Sequence, residues 1–150
     1  MSAIIIAPLT DDDVRGAYAC EKICLPGEHW SENAIGDMSS RDDAIYFVAL
    51  SGKDVVGTAG AILVLDEIQI TNICVLPSYR RQGIAKELLC TVFAEGQKRN
   101  CSKVYLEVAC DNIGATALYK SLRFCEIGRR KNYYKNGVDA ILMSADIVGG

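Results

Sequence analysis

The order of patterned segments predicts an α+β fold on one mixed β-sheet of about seven strands, flanked by about four helices. Three observations carry this. Strand-like runs cluster in the first half of the 150-residue chain. Strands and helices alternate only afterwards, whereas a doubly wound nucleotide fold alternates throughout. No G-x-G-x-x-G follows the first strand, and no G-x-x-x-x-G-K-[ST] is present.

The elements follow in order. "AIIIAPL" opens as a strand. Thr10 is a candidate N-cap, with Asp11, Asp12 and Asp13 at the positive end of a helix on which Val14, Ala17, Tyr18 and Ile23 keep a helical rhythm. "WSENAIGDM" reads as a short helix capped by Ser31. Residues 45–50 and 55–65 read as strands joined by the turn Gly52-Lys53-Asp54, and "EIQITNICVL" as a third strand ended by Pro77. Ile84, Leu88, Leu89, Val92 and Phe93 fall on one helix face. "KVYLEVA" is a strand, "NIGATALYKSL" a helix, and "FCEIGRRKNYY" with "DAILMSADI" a closing hairpin. The chain reads as one domain over 1–150.

A net charge of -3 argues against nucleic acid or an acidic membrane as partner, though a local basic patch can still hold an anion. No leader-like opening and no run approaching the ~20 apolar residues of a membrane span stands out, so a cytoplasmic protein is expected. Seven cysteines and one histidine give no zinc-ligand spacing. Most of the cysteines are expected to be small buried hydrophobes, with no disulfide framework and no metal.

The chemistry concentrates at "YRRQGIAKELL", residues 79–89. A helix mouth has unpaired N–H groups and a partial positive charge. Gly83 lets a ligand approach the backbone, Ala85 keeps the next position small, and Arg81 or Lys86 can add charge-assisted bonds to phosphate. A solvated turn is the alternative reading.

The segment R-x-x-G-x-A, Arg80 to Ala85, resembles the pyrophosphate loop of the GNAT acetyltransferases, Q/R-x-x-G-x-G/A. With "NICVLPSYRRQGIAKELL", "YLEVACDNIGATALYKSLRF", "RRKNYY" and "DAILM", it resembles the RimI family within them, which acetylates the N-terminal alanine of a small-subunit ribosomal protein. The resemblance covers about residues 66–145, and "CEKICLPGEHWSENAI" resembles the family's helix-loop-helix. It implies a sheet with splayed middle strands and acetyl-CoA as cofactor. Arg81, Gln82, Gly83, Ile84, Ala85 and Lys86 would hold the pyrophosphate. Backbone groups of Ile73, Cys74 and Val75 would pair with the pantetheine arm and supply an oxyanion donor. Asn112 would bind the cofactor, and it is also a plausible N-cap. The chain departs from the family at Cys74, where alanine is usual, at Arg123, where glycine is usual, and in a short tip between Tyr134 and Asp139. If position 123 needs positive φ, Arg123 is strained.

Acetyl transfer needs a base path for the amine and an acid for the leaving thiolate. Glu107 shares a strand face with Tyr105 and Ala109; a solvated or salt-bridged glutamate is the alternative. The resemblance implies that it accepts the proton, and burial would raise its pKa. Tyr119 reads from spacing as a core aromatic; the resemblance implies that it is the acid. Trp30, Glu32, Tyr133, Tyr134 and Asp139 are acceptor-side candidates, with loop packing as the alternative. An acetyl-cysteine route through Cys74 or Cys110 lacks a nearby base in sequence, so direct transfer is favoured. The implied reaction is acetylation of a protein N-terminal α-amine. A small-molecule amine N-acetyltransferase and a non-catalytic acyl-CoA sensor are the competing readings, and having both Glu107 and Tyr119 argues against the sensor.

Overall fold

The computed structural model describes residues 3–27, 29–134 and 136–147. Its elements are β1 (Ile4–Pro8), α1 (Val14–Cys24), α2 (Glu32–Met38), β2 (Ala44–Ser51), β3 (Asp54–Val64), β4 (Glu67–Val75), α3 (Ile84–Lys98), β5 (Lys103–Ala109), α4 (Ile113–Ser121), β6 (Cys125–Arg130) and β7 (Ala140–Asp146), with 3-10 turns at Asp11–Asp13 and Pro77–Tyr79. The order matches the sequence reading. The strands form one seven-stranded sheet ordered β1-β2-β3-β4-β5-β7-β6. Among the described residues, the one neighbouring pair that is parallel is β4–β5, joined by the α3 crossover.

Two apolar clusters cover the two faces of the sheet. Ile45, Ala49, Leu88, Leu89, Val104, Leu106 and Tyr119 belong to the α3–α4 side. Ala17, Cys20, Ile35, Tyr46, Val48 and Cys74 belong to the α1–α2 side. The alternation along β2 and β5 makes this division, because successive strand residues face opposite ways. On α3 the predicted face holds: Ile84, Leu88, Leu89 and Val92 are buried and Phe93 is partly buried.

The α1 stripe differs from the expected one. Ile23 is exposed, and the buried positions are Ala17, Cys20 and Glu21. Thr10 caps the 3-10 turn that precedes α1: its amide and hydroxyl both donate to the Asp13 carboxylate. The cysteine expectation is also corrected. Only Cys20, Cys74 and Cys101 are buried, Cys24 and Cys110 are half-buried, and Cys90 and Cys125 are exposed. The correct count depends on which helix faces meet the sheet.

The sheet parts in its middle. β4 stays paired with β3 as far as Gly57↔Val75, but its pairing with β5 stops at Gln69↔Tyr105. Just beyond that point the β3–β4 register shifts, with Gly60 opposite Asn72 and Ala61 opposite Ile70, so Thr71 is an extra residue on β4. Such a bulge bends its strand and increases the twist. Gly60 permits it, since a Cβ there would collide with the Asn72 side chain. β5 continues along β7 to Ala109↔Ala140, so a gap opens between two otherwise supported strands.

Candidate active site

The gap is the floor of a cleft of about 1190 Å³. β4 contributes Gln69 to Ile73, and β5 contributes Tyr105 to Ala109. Asn112 and Tyr119 line it from α4, and Tyr133 and Tyr134 from the β6–β7 connection. Glu107, Tyr119, Asn112, Ile73, Tyr133 and Tyr134 thus line one cleft.

Glu107 and Tyr119 come from opposite faces of the sheet. Leu106, Val108 and Tyr119 pack in the α3–α4 cluster, so Glu107, alternating with its neighbours, faces the other way. Both line one cleft because the sheet is open between β4 and β5. Glu107 is not buried as expected: its side chain is 32 % exposed. The helix on its face, α1, packs over β3 and β4. Arg130, which the sequence reading had not singled out, stands beside it, with Nε 3.6 Å from Glu107 Oε1. Hairpin register was the available signal, since Arg130 pairs with Ala140 on β7 and Glu107 with Leu142. The Arg130 guanidinium also lies 5.5 Å from the centre of the Tyr133 ring, which meets Tyr134 edge-on at 5.2 Å.

Tyr119 is 7 % exposed. Burial, with a smaller effect from Tyr134, pushes its phenol up to about 12. The end of α4 fixes its position. The Phe124 amide donates to the Tyr119 carbonyl at 3.0 Å and the Arg123 amide to the Lys120 carbonyl at 3.0 Å. This is a Schellman cap with Arg123 at the left-handed position, φ 70°. The cap sets Phe124 against the Tyr119 ring, centroids 5.8 Å apart.

The helix mouth lies beyond the far end of β4 and does not line the cleft. Gly83 is the N-cap of α3 with φ 80°, and nothing stands within 4 Å of where its Cβ would be. Arg81 is also left-handed, φ 65°, and residues 81–83 and Lys86 are exposed. A bare backbone and two basic side chains at the start of a 15-residue helix fit a diphosphate. Asn112 accepts from the Ala115 amide at 3.2 Å, so its capping role is present. The Val75 carbonyl already accepts from Arg80 Nε at 3.1 Å and from Cys24 Sγ at 3.3 Å, which limits Val75 to its amide for pairing with an incoming arm.

The acceptor-side candidates divide. Tyr133 and Tyr134 line the cleft, and Trp30 does not. Trp30 packs against the α1–α2 cluster, and its amide donates to Glu21 Oε1 at 3.3 Å. The residues before it, Leu25, Pro26 and Gly27, line the cleft instead. Glu32 lies 3.9 Å from Arg15 in a separate shallow depression. Asp139 holds the hairpin: its carboxylate accepts from the Asn132 amide at 3.0 Å and its carbonyl from the Cys110 amide at 2.9 Å.

Cys74 and Cys110 are not among the residues lining the cleft. Cys74 belongs to the α1–α2 cluster, and its contacts with Cys20 and Cys24, together with burial, push its thiol up. That is the wrong direction for a nucleophile.

The chain belongs to the GNAT family of acetyltransferases, whose family model matches residues 12–124. Among its relatives, the [ribosomal protein bS18]-alanine N-acetyltransferase of Escherichia coli (strain K12) is 34% identical over 145 residues, covering 95% of this chain and 97% of that one. The N-alpha-acetyltransferase RimI of Mycobacterium tuberculosis is 33% identical over 151 residues, covering 95% and 92%. In three dimensions the chain is similar to the crystal structure of the Escherichia coli ribosomal-protein-S18-alanine N-acetyltransferase, with a TM-score of 0.88 and 33% identity over 99% of this chain and 96% of that one.

Proposed function

We propose that the chain, acting as one domain in the cytoplasm, transfers the acetyl group of acetyl-CoA directly to a protein N-terminal α-amine. The acceptor is the N-terminal alanine of a small-subunit ribosomal protein. The observation that carries this reading is the meeting of Glu107 and Tyr119, from opposite sheet faces, at the gap between β4 and β5. The names of the relatives support the acceptor.

In this reading Arg81, Gln82, Gly83, Ile84, Ala85 and Lys86 grip the diphosphate. The free edge at Ile73, Cys74 and Val75 pairs with the pantetheine arm, and an amide there holds the thioester oxygen. Asn112 contacts the arm while capping α4. Tyr133, Tyr134 and the Leu25–Gly27 turn receive the acceptor peptide, with Trp30 supporting that turn from behind.

The acceptor nitrogen attacks the thioester carbon, forming the amide as the carbon–sulfur bond breaks. Glu107 takes the amine's proton through a water. An α-amine has a pKa near ~7.7–8, against ~10.4 for lysine, so this modest base suffices for the first and hardly for the second. Tyr119 keeps its proton at neutral pH. Handing it to a free thiolate of pKa ~8.5 would be roughly 5 kcal/mol uphill. Its part is therefore a hydrogen bond to the developing sulfur charge, completed by proton transfer where the thiolate is poorly solvated.

Two measurements test this. Gly83→Glu places bulk and negative charge at the helix mouth and should abolish acetyl-CoA binding by calorimetry; undiminished affinity overturns the diphosphate site. An Ala-initiated peptide should outcompete its N-blocked, lysine-containing twin. Faster acetylation of the blocked twin, or turnover of free polyamines with neither peptide modified, overturns the acceptor.

A further inference from the structure

The α1–α2 cluster contains a group that acetyl transfer does not use. The Sγ atoms of Cys20, Cys24 and Cys74 all lie within 4.8 Å of one another. We propose that these three thiols form a binding site for one soft, monovalent d10 cation of the Cu(I) type, tying α1 to β4.

The spacing suits an ion. Cys20 and Cys74 Sγ are 3.9 Å apart. With the sulfurs within 4.8 Å of one another, the centre of the triangle lies roughly 2.3–2.8 Å from each corner, so a small inward shift of the thiols reaches the ~2.3 Å of a thiolate–metal bond. A disulfide suits the helix pair less well. Cys20 and Cys24 are i,i+4 on α1, where Cβ atoms stand about 5–6 Å apart, beyond the ~4.5 Å that a disulfide tolerates. The same offset lets two ligands on one helix face share an ion.

The donor set selects the ion. Among the described residues, no further His, Cys, Asp or Glu ligand atom joins the three sulfurs. Structural zinc takes four ligands, whereas soft thiolates without a fourth donor suit Cu(I).

The surroundings hold the ligands in place. Cys74 Sγ lies 2.9 Å from Thr58 Oγ1, which accepts from Asn72 Nδ2 at 3.0 Å. Such outer-shell bonds orient ligands. Cys24 Sγ and Arg80 Nε meet at the Val75 carbonyl, at 3.3 Å and 3.1 Å, so a guanidinium stands where it offsets the negative charge of a cation held by three thiolates. Cys20 and Cys74 are buried and Cys24 is half-buried, which makes Cys24 the point of entry. Binding exchanges the thiol protons for the ion, releases them to solvent and needs no oxidant.

The test uses the full chain with Cys90→Ser and Cys125→Ser, which remove the two exposed thiols. Cu(I) is titrated without oxygen against a chromogenic chelator, and Zn2+ in parallel. The expected result is one equivalent of Cu(I), with thiolate-to-copper absorption in the ultraviolet and a raised melting temperature. Cys24→Ser should weaken binding at least tenfold with an unchanged circular dichroism spectrum, and Cys20→Ala is the second variant should the first misfold. Cys110→Ser should change nothing. Undiminished Cu(I) affinity in both Cys24→Ser and Cys20→Ala, no ultraviolet band, or Zn2+ held as tightly as Cu(I) overturns the proposal. None of these readouts depends on acetyl-CoA.

Discussion

Tyr119 carries two meanings that a sequence cannot separate: it packs against Phe124 like a core aromatic, and it lines the cleft like a reactive group. Tyr119→Phe keeps the packing and removes the proton. It should lower kcat by about a hundredfold while the acetyl-CoA Kd stays within a factor of about two, checked by steady-state kinetics and calorimetry. With the phenol pushed up to about 12, the pH profile of kcat should show no descending limb below about pH 11; a limb near pH 9 would assign the acid role elsewhere. Glu107→Gln should lose most activity at the acid end of the profile, where the acceptor amine needs help in losing its proton. A uniform loss across pH would instead make Glu107 a positioning group for Arg130, 3.6 Å away.

At the scale of elements, the two long crossovers end alike. α3 closes with Asn100 at φ 60° and the Cys101 amide on the Gly96 carbonyl at 2.9 Å; α4 closes with Arg123 at φ 70°. Asparagine tolerates the left-handed region, but arginine holds it at a cost of about 1–2 kcal/mol. The strain anticipated at Arg123 is therefore present. Arg123→Gly should stabilise the chain by about 1 kcal/mol, a rise of about 2–4 °C in Tm, less whatever glycine adds to unfolded-state entropy. Calorimetry showing a lower Tm would mean that the Arg123 side chain contributes more than its backbone costs. The bulge at Thr71 is the other decisive local feature, because it bends β4 just where pairing with β5 ends.

Across the whole molecule, α1 is fastened to the sheet by a polar core. Glu21 is fully buried and accepts from the Tyr46 hydroxyl and the Trp30 amide. Burial raises its pKa, opposed by those two hydrogen bonds. A carboxyl whose folded pKa lies above its unfolded value of ~4.3 binds more protons folded than unfolded between the two values. Its contribution is fully present below ~4.3 and is lost as pH rises through the folded pKa. Urea unfolding across pH 4–8 should show this falling component in the wild type and not in Glu21→Gln; parallel curves would exclude Glu21 as its source.

The sequence by itself determined the element order, the α3 face, the caps at Ser31 and Asn112, and the family, because these are written in local spacing and in contiguous motifs. On α1 the rhythm of Val14, Ala17 and Tyr18 marked part of the packed face, but only the tertiary structure decided that Glu21 is buried there and Ile23 is exposed. It also decided that Glu107 is open to the cleft beside Arg130, and that Cys20 and Cys24 meet Cys74, 54 and 50 positions further along the chain. Each of these depends on where one element lies over another, a property of packing between distant segments that no short window of sequence contains.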